Sequence, residues 1–290
     1  MGPHWLLAVR PIMTRETIAL EVADAALPPT IGLDLDPGAL AAGAIGKIWP
    51  AASKWSTEDF FALGQVAADL GVPPADLLAV LYSESALDPA ARYPKTGYID
   101  AVGLNQITSV LDSALGITEA QRQAMVGWTV GQQLPYVRKS FLASGVKSYT
   151  IPDAGGLYVA NFAPGRMAQG FGPGVVMYDA AKNPKEYTAN KPLDRENKGY
   201  ITLENMRQML RGGVASAAFQ AALARYSAAT GDTTGPRIMD PAGNLVTLPG
   251  GPGGPAPATA GVANESDGGG SVLPVLAAVA VGAAFVAMRG

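Results

Sequence analysis

Between Ser56 and Ser85 the apolar residues fall at intervals of three and four, and one punctuation, Gly71-Val-Pro-Pro74, divides them into two runs. Phe60, Leu63, Val66, Ala67 and Leu70 form the first stripe and Leu77, Val80 and Leu81 the second, the pattern of two amphipathic helices that each bury one face. Ser56-Thr-Glu-Asp59 is a Ser-x-x-acid sequence suited to cap the first helix. Gly71 suits its stop, and Pro73-Pro74 starts the second helix. Asp88-Pro89 is expected to end it, because a residue before proline is pushed out of the α region. Further helices are expected at about 107–114, 118–126, 130–143, 153–161 and 202–227. Few runs alternate with period two, so the fold class is mainly α.

Glu84 breaks the pattern of the second helix. It stands seven, four and three positions after Leu77, Val80 and Leu81, so its carboxyl projects from the apolar stripe. Burial there disfavours the ionised form and raises the pKa, which is the property a general acid needs near neutral pH. The alternative is a glutamate that curls out to water from the end of its helix.

Composition narrows the chemistry. The chain has no cysteine, which excludes disulfides, thiolate nucleophiles and cysteine-ligated zinc. Its single histidine, His4, lies beside the initiator methionine, so a Ser-His-Asp triad or a zinc site built on several histidines is not expected. A formal charge of −3 gives no broad basic footprint for nucleic acid, and no nucleic-acid partner is expected. Carboxylate chemistry remains, and no cofactor is expected.

Beyond Glu84-Ser85 come Gly103-Leu104-Asn105-Gln106 and Tyr158-Val-Ala-Asn161-Phe-Ala-Pro164-Gly165. These three elements resemble those of the phage-type lytic transglycosylases of the lysozyme-like superfamily. That family carries Glu-Ser at a helix end, Gly-Leu-x-Gln after a loop and an Asn-containing element later. Gln133-Leu134-Pro-Tyr136-Val137 is similar to a helix of phage-encoded members, so the likeness covers about residues 56–205. It implies a lysozyme-like catalytic domain acting on peptidoglycan glycan strands. Glu84 would be both acid and base in cleavage of the MurNAc-GlcNAc β-1,4 bond, with a 1,6-anhydro product. It also implies a supporting role for Ser85 and glycan contacts from Gly103, Leu104, Asn105, Gln106, Tyr158 and Asn161. Ala160 stands where the family has tyrosine, leaving Tyr158 or Tyr136 to supply that hydroxyl. Asp100 is the better candidate for a second acid and Asp88 a turn cap; with a second acid the reading becomes a lysozyme-type muramidase. Asp194-Arg-Glu196-Asn197-Lys198-Gly199 resembles a calcium loop, yet Lys198 and Asn205 occupy ligand positions, so no metal is expected.

The ends differ in character. Residues 1–54 read as an N-terminal arm with a helix at Thr14–Ala26, and residues 55–230 as the catalytic domain. The apolar run Trp5–Val9 is too short for a secretory signal. Residues 231–270 read as a flexible Gly/Pro-rich linker with a reach of roughly 35 Å. Residues 271–290 read as a C-terminal hydrophobic helix. Its uncharged stretch, Val272–Met288, would span about 26 Å, near the short limit for a bilayer. Membrane contact through 272–288 or packing in an oligomer are the two readings of this segment. The expected setting is a tail-associated phage virion protein, with other virion proteins as partners, delivered to the host periplasm or membrane. Membrane anchoring facing the wall is the alternative location, and a non-catalytic virion component the alternative function.

Overall fold

The computed structural model describes residues 48–93 and 101–249. The Thr14–Ala26 helix, Asp100, the linker from 250 onward and the C-terminal hydrophobic helix lie outside the described residues. The architecture is mainly α. Helix α1 (Thr57–Leu70) has the expected cap: the Asp59 N–H donates to Ser56 Oγ at 3.2 Å and the Ser56 N–H to Asp59 Oδ2 at 2.9 Å. Its five stripe residues are its five buried ones, and Gly71 ends it in the left-handed conformation at φ 75°. Helix α2 (Pro74–Ser85) follows after a bend of 107°. It ends three residues before Asp88, earlier than expected, because Ala86 and Leu87 turn left-handed at φ 52° and 60°. Non-glycine residues adopt that conformation at a cost, and this corner is pinned. The indole N–H of Trp49 donates to the Ala86 carbonyl at 3.2 Å and that of Trp55 to the Leu87 carbonyl at 2.7 Å.

A three-stranded antiparallel sheet follows, β1 (Arg92–Tyr93), β2 (Ala101–Val102) and β3 (Ile107–Thr108), in sequential order. Residues 107–108 were expected in a helix; here they pair with β2 across the Gly103–Gln106 turn, Val102 opposite Ile107. Only then come the short helices α3 (Asp112–Leu115) and α4 (Glu119–Ala124). Val102, Ile107, Leu115, Ile117 and Met125 form a small apolar cluster of their own, with Trp128 and Tyr136 packed against it.

The main core gathers α1, α2, α5 (Val130–Ala143), α6 (Ala154–Phe162), α8 (Leu203–Val214) and α9 (Ala217–Thr230). Helix α5 spans the expected residues. The single helix expected over 202–227 is two, because Ser216 leaves the helix and caps α9 by accepting from the Phe219 N–H. Helix α6 packs against both α2 and α8, and all of its residues but Asn161 are buried, the mark of a central helix. Between α6 and α8 the chain adds β4 (Val176–Asp179), helix α7 (Pro184–Asn190) and β5 (Tyr200–Thr202), with β4 and β5 paired antiparallel.

Folded structure extends past both expected domain boundaries. Trp49, Ala51 and Ala52, placed in the arm, are buried in the main core. Residues 231–249, placed in the linker, include an antiparallel hairpin of β6 (Arg237–Met239) and β7 (Leu245–Thr247). Side-chain anchors that local composition does not reveal hold it. Arg237 donates its backbone N–H, Nε and Nη2 to the buried Asp76, and the Met239 N–H donates to Asp153 Oδ2 at 2.7 Å. Burial pushes the Asp76 carboxyl up to about 6, with Arg237 opposing the shift.

Candidate active site

Glu84 lies in the last turn of α2 on the face that carries Leu77, Val80 and Leu81, all three fully buried, and its own exposure is 3 %. Neither carboxyl oxygen has a hydrogen-bond partner. Burial pushes the carboxyl up to about 8; the neighbouring Asn161 amide and Tyr158 hydroxyl pull the other way without closing a hydrogen bond on it. Burial thus favours the neutral acid, because no charge compensates for the water it has lost.

Helix α6 brings both neighbours. Tyr158 and Asn161 are three residues apart and so share a face. The Tyr158 ring is fully buried and stacks on Phe162 at 5.6 Å between centroids. Its hydroxyl is buried without a partner, and burial, then the Glu84 carboxyl, raise it well above the ordinary tyrosine range. Of the two tyrosines the sequence offered, Tyr158 stands beside Glu84. Tyr136 instead packs on Trp128, ring centroids 5.2 Å apart, at the small cluster.

The turn between β2 and β3 supplies the next layer. The Asn105 amide nitrogen donates to Asn161 Oδ1 at 2.8 Å and to Ser140 Oγ at 2.9 Å, and Ser140 donates in turn to the Val137 carbonyl at 2.7 Å. Gln106, at φ 46°, folds back and donates its Nε2 to the Gly103 carbonyl at 2.9 Å. Gly103, expected to let the backbone approach a glycan, makes room for a protein group instead. At its φ of 76° a Cβ would run into Gln133 Oε1. That oxygen accepts from the Leu104 N–H at 2.8 Å, while Gln133 Nε2 donates to the carbonyls of Pro89 and Met125 at 2.7 and 2.9 Å.

Glu84, Tyr158, Asn161 and Asn105 are thus brought together. Two expected site residues point elsewhere. The Leu104 side chain is fully buried in the main core. The Ser85 hydroxyl donates to the Leu81 carbonyl of its own helix at 3.0 Å, not to Glu84. Ser140 and Gln133 were not assigned roles from sequence, yet both are buried on the helix whose stripe is Val130, Leu134, Val137 and Phe141. Like Glu84, each is a polar residue on an apolar helix face.

Other carboxylates have structural partners. Asp88 accepts from Lys54 Nζ at 2.6 Å and from the Ala90 N–H at 2.9 Å, a turn cap as expected. Asp194 accepts from the Tyr187 hydroxyl at 2.8 Å and from the N–H groups of Lys198 and Gly199. Lys198 forms an ion pair with Glu196. Among the described residues no three His, Cys, Asp or Glu side chains converge as metal ligands.

Fold and site define a mainly helical protein with a buried glutamate sealed beside an amide and a phenol. No protein-family model, curated protein or solved structure matches the chain.

Proposed function

We propose that this protein is a murein lytic transglycosylase with a lysozyme-like domain. The observation that carries the reading is the burial of Glu84 with no hydrogen-bond partner on either oxygen, which favours the protonated acid. A neutral carboxylic acid can protonate the glycosidic oxygen of a MurNAc-GlcNAc bond as the bond to C1 breaks. The carboxylate left behind accepts the proton of the muramic C6 hydroxyl while O6 closes on C1, giving the 1,6-anhydro ring. No water is consumed, and the intramolecular attack draws its advantage from proximity. One acid suffices because it serves twice. Asn161 and Tyr158 are neutral donors beside it, suited to support its anionic state between the two transfers.

The biological setting follows the sequence. A catalytic domain joined by a Gly/Pro-rich linker to the apolar segment 272–288 fits a tail-associated phage protein that opens the wall locally during genome delivery.

The test is digestion of purified peptidoglycan with mass spectrometry of the fragments. Anhydro-muropeptides are expected, and Glu84→Gln is expected to lower their release by about 10²–10⁴-fold with the fold intact. Reducing muramic ends would instead indicate a muramidase, with Asp100→Asn then the decisive variant. Sedimentation with peptidoglycan but no released fragment would indicate a glycan-binding virion component. Unchanged turnover in Glu84→Gln would defeat both enzymatic readings.

A further inference from the structure

Asn161 can help the carboxylate of Glu84 only if its amide presents nitrogen rather than oxygen, and a chain of donors fixes that choice. It begins at the Val137 carbonyl on α5, which has no hydrogen to give. The single hydroxyl hydrogen of Ser140 is directed there at 2.7 Å, so Ser140 Oγ is left to accept. The group facing it at 2.9 Å must be the nitrogen of Asn105, and the second hydrogen of that nitrogen goes to Asn161 at 2.8 Å. Asn161 therefore meets Asn105 with its oxygen, which leaves its NH₂ for Glu84, the neighbouring carboxyl that the Asn161 amide favours in its ionised form. Asn105 and Ser140 are each 2 % exposed, so water does not compete for the bond between them.

We propose that Asn105 is a positioning residue of the reaction: held by Ser140, it sets the Asn161 amide so that its donor end waits on Glu84 and stabilises the carboxylate formed once the proton has left. The sequence reading put Asn105 on the glycan. In the structure both of its amide hydrogens are committed to protein groups, and it acts through Asn161. The waiting donor closes no hydrogen bond on the neutral acid, so its help is reserved for the ionised form, where a charge-assisted bond is strongest.

The catalytic consequence rests on the transglycosylase reading, but the placement of the amide does not. The experiment uses the full-length chain labelled with ¹³C-carboxyl glutamate, the Glu84 resonance being assigned by its loss in Glu84→Gln. Carboxyl shifts are followed against pH in the wild type, Asn105→Leu and Ser140→Ala. In Asn105→Leu the Glu84 acidity constant is expected to fall at least about threefold, since a donor that favours the anion is no longer held in place. Ser140→Ala is expected to move it the same way by less, and it keeps the question decidable if Asn105→Leu does not fold. With murein as substrate, the alkaline limb of the pH profile moves upward in step, and kcat falls with KM little changed. An unmoved Glu84 titration in both variants would overturn the positioning role even if turnover dropped. A moved titration without anhydro products would leave the relay standing and remove the proposed reaction.

Discussion

Two of the carboxyls buried in the helical core, Asp153 and Glu84, are opposites. Asp153, fully buried, caps α6 through the Gly156 N–H at 2.9 Å, takes Arg207 Nε and Nη2 at 2.7 and 3.0 Å, and accepts from the Met239 N–H at 2.7 Å. Glu84, nearly as buried, closes no hydrogen bond at all. Burial alone therefore does not mark a functional acid. A saturated carboxylate ties elements together, here α6, α8 and β6, and losing any partner is expensive. A starved one stays neutral and costs the fold stability, which is tolerated when chemistry needs that proton.

The contrast can be broken most forcefully at Asp153. Asp153→Asn leaves the Arg207 charge fully buried without its counter-ion, and urea unfolding is expected to show a loss of about 3–5 kcal/mol. A loss under about 1 kcal/mol would mean that the pair is no structural anchor. Glu84→Gln should behave in the reverse sense. The folded state holds the Glu84 proton up to about pH 8, whereas an unfolded glutamate releases it near 4.5. Wild-type stability therefore declines as pH rises between those values and levels off above the upper one. The amide does not titrate, so the variant should overtake the wild type through that window and lead by about 2–4 kcal/mol at pH 8. Parallel stability curves would place the carboxyl in water. Tyr158→Phe sharpens the picture of the site. Removing a buried hydroxyl that has no partner should leave stability unchanged or raised by about 0.5 kcal/mol. The alkaline limb of activity should move upward, because one of the two groups opposing the Glu84 shift is gone. The smallest effect is expected at Ser85. Its hydroxyl serves the Leu81 carbonyl, so Ser85→Ala should change stability by less than about 0.5 kcal/mol and turnover by less than about twofold.

Helices with both a cap and a stripe were legible in the sequence. Ser56, Gly71 and Pro74 bounded α1 and α2 because caps and breakers act locally, and the α5 stripe fixed its length. The strands were not legible. Runs of two to four residues such as Ile107–Thr108 are too short to display a period, and their pairing depends on partners far along the chain. The hairpin at 237–247 illustrates the same limit, since Arg237 is held by Asp76, 161 residues away. At the site, the apolar stripe alone put Glu84 on the buried face of α2, whereas Tyr158 and Asn161 were named through the family resemblance. Ser85 turns to its own helix and Leu104 into the main core, because the sequence neighbours of a candidate residue point in other directions. On a helix the next side chain is turned by about 100°.

The left-handed corner at Ala86–Leu87 bears on where the protein can be shortened. The turn that aims the end of α2 is tied down from upstream, by the indoles of Trp49 and Trp55. A version trimmed to start at residue 55, as composition alone would suggest, keeps the acid but cuts one of the two guy-ropes holding its mast. A minimal folded version has to begin before Trp49.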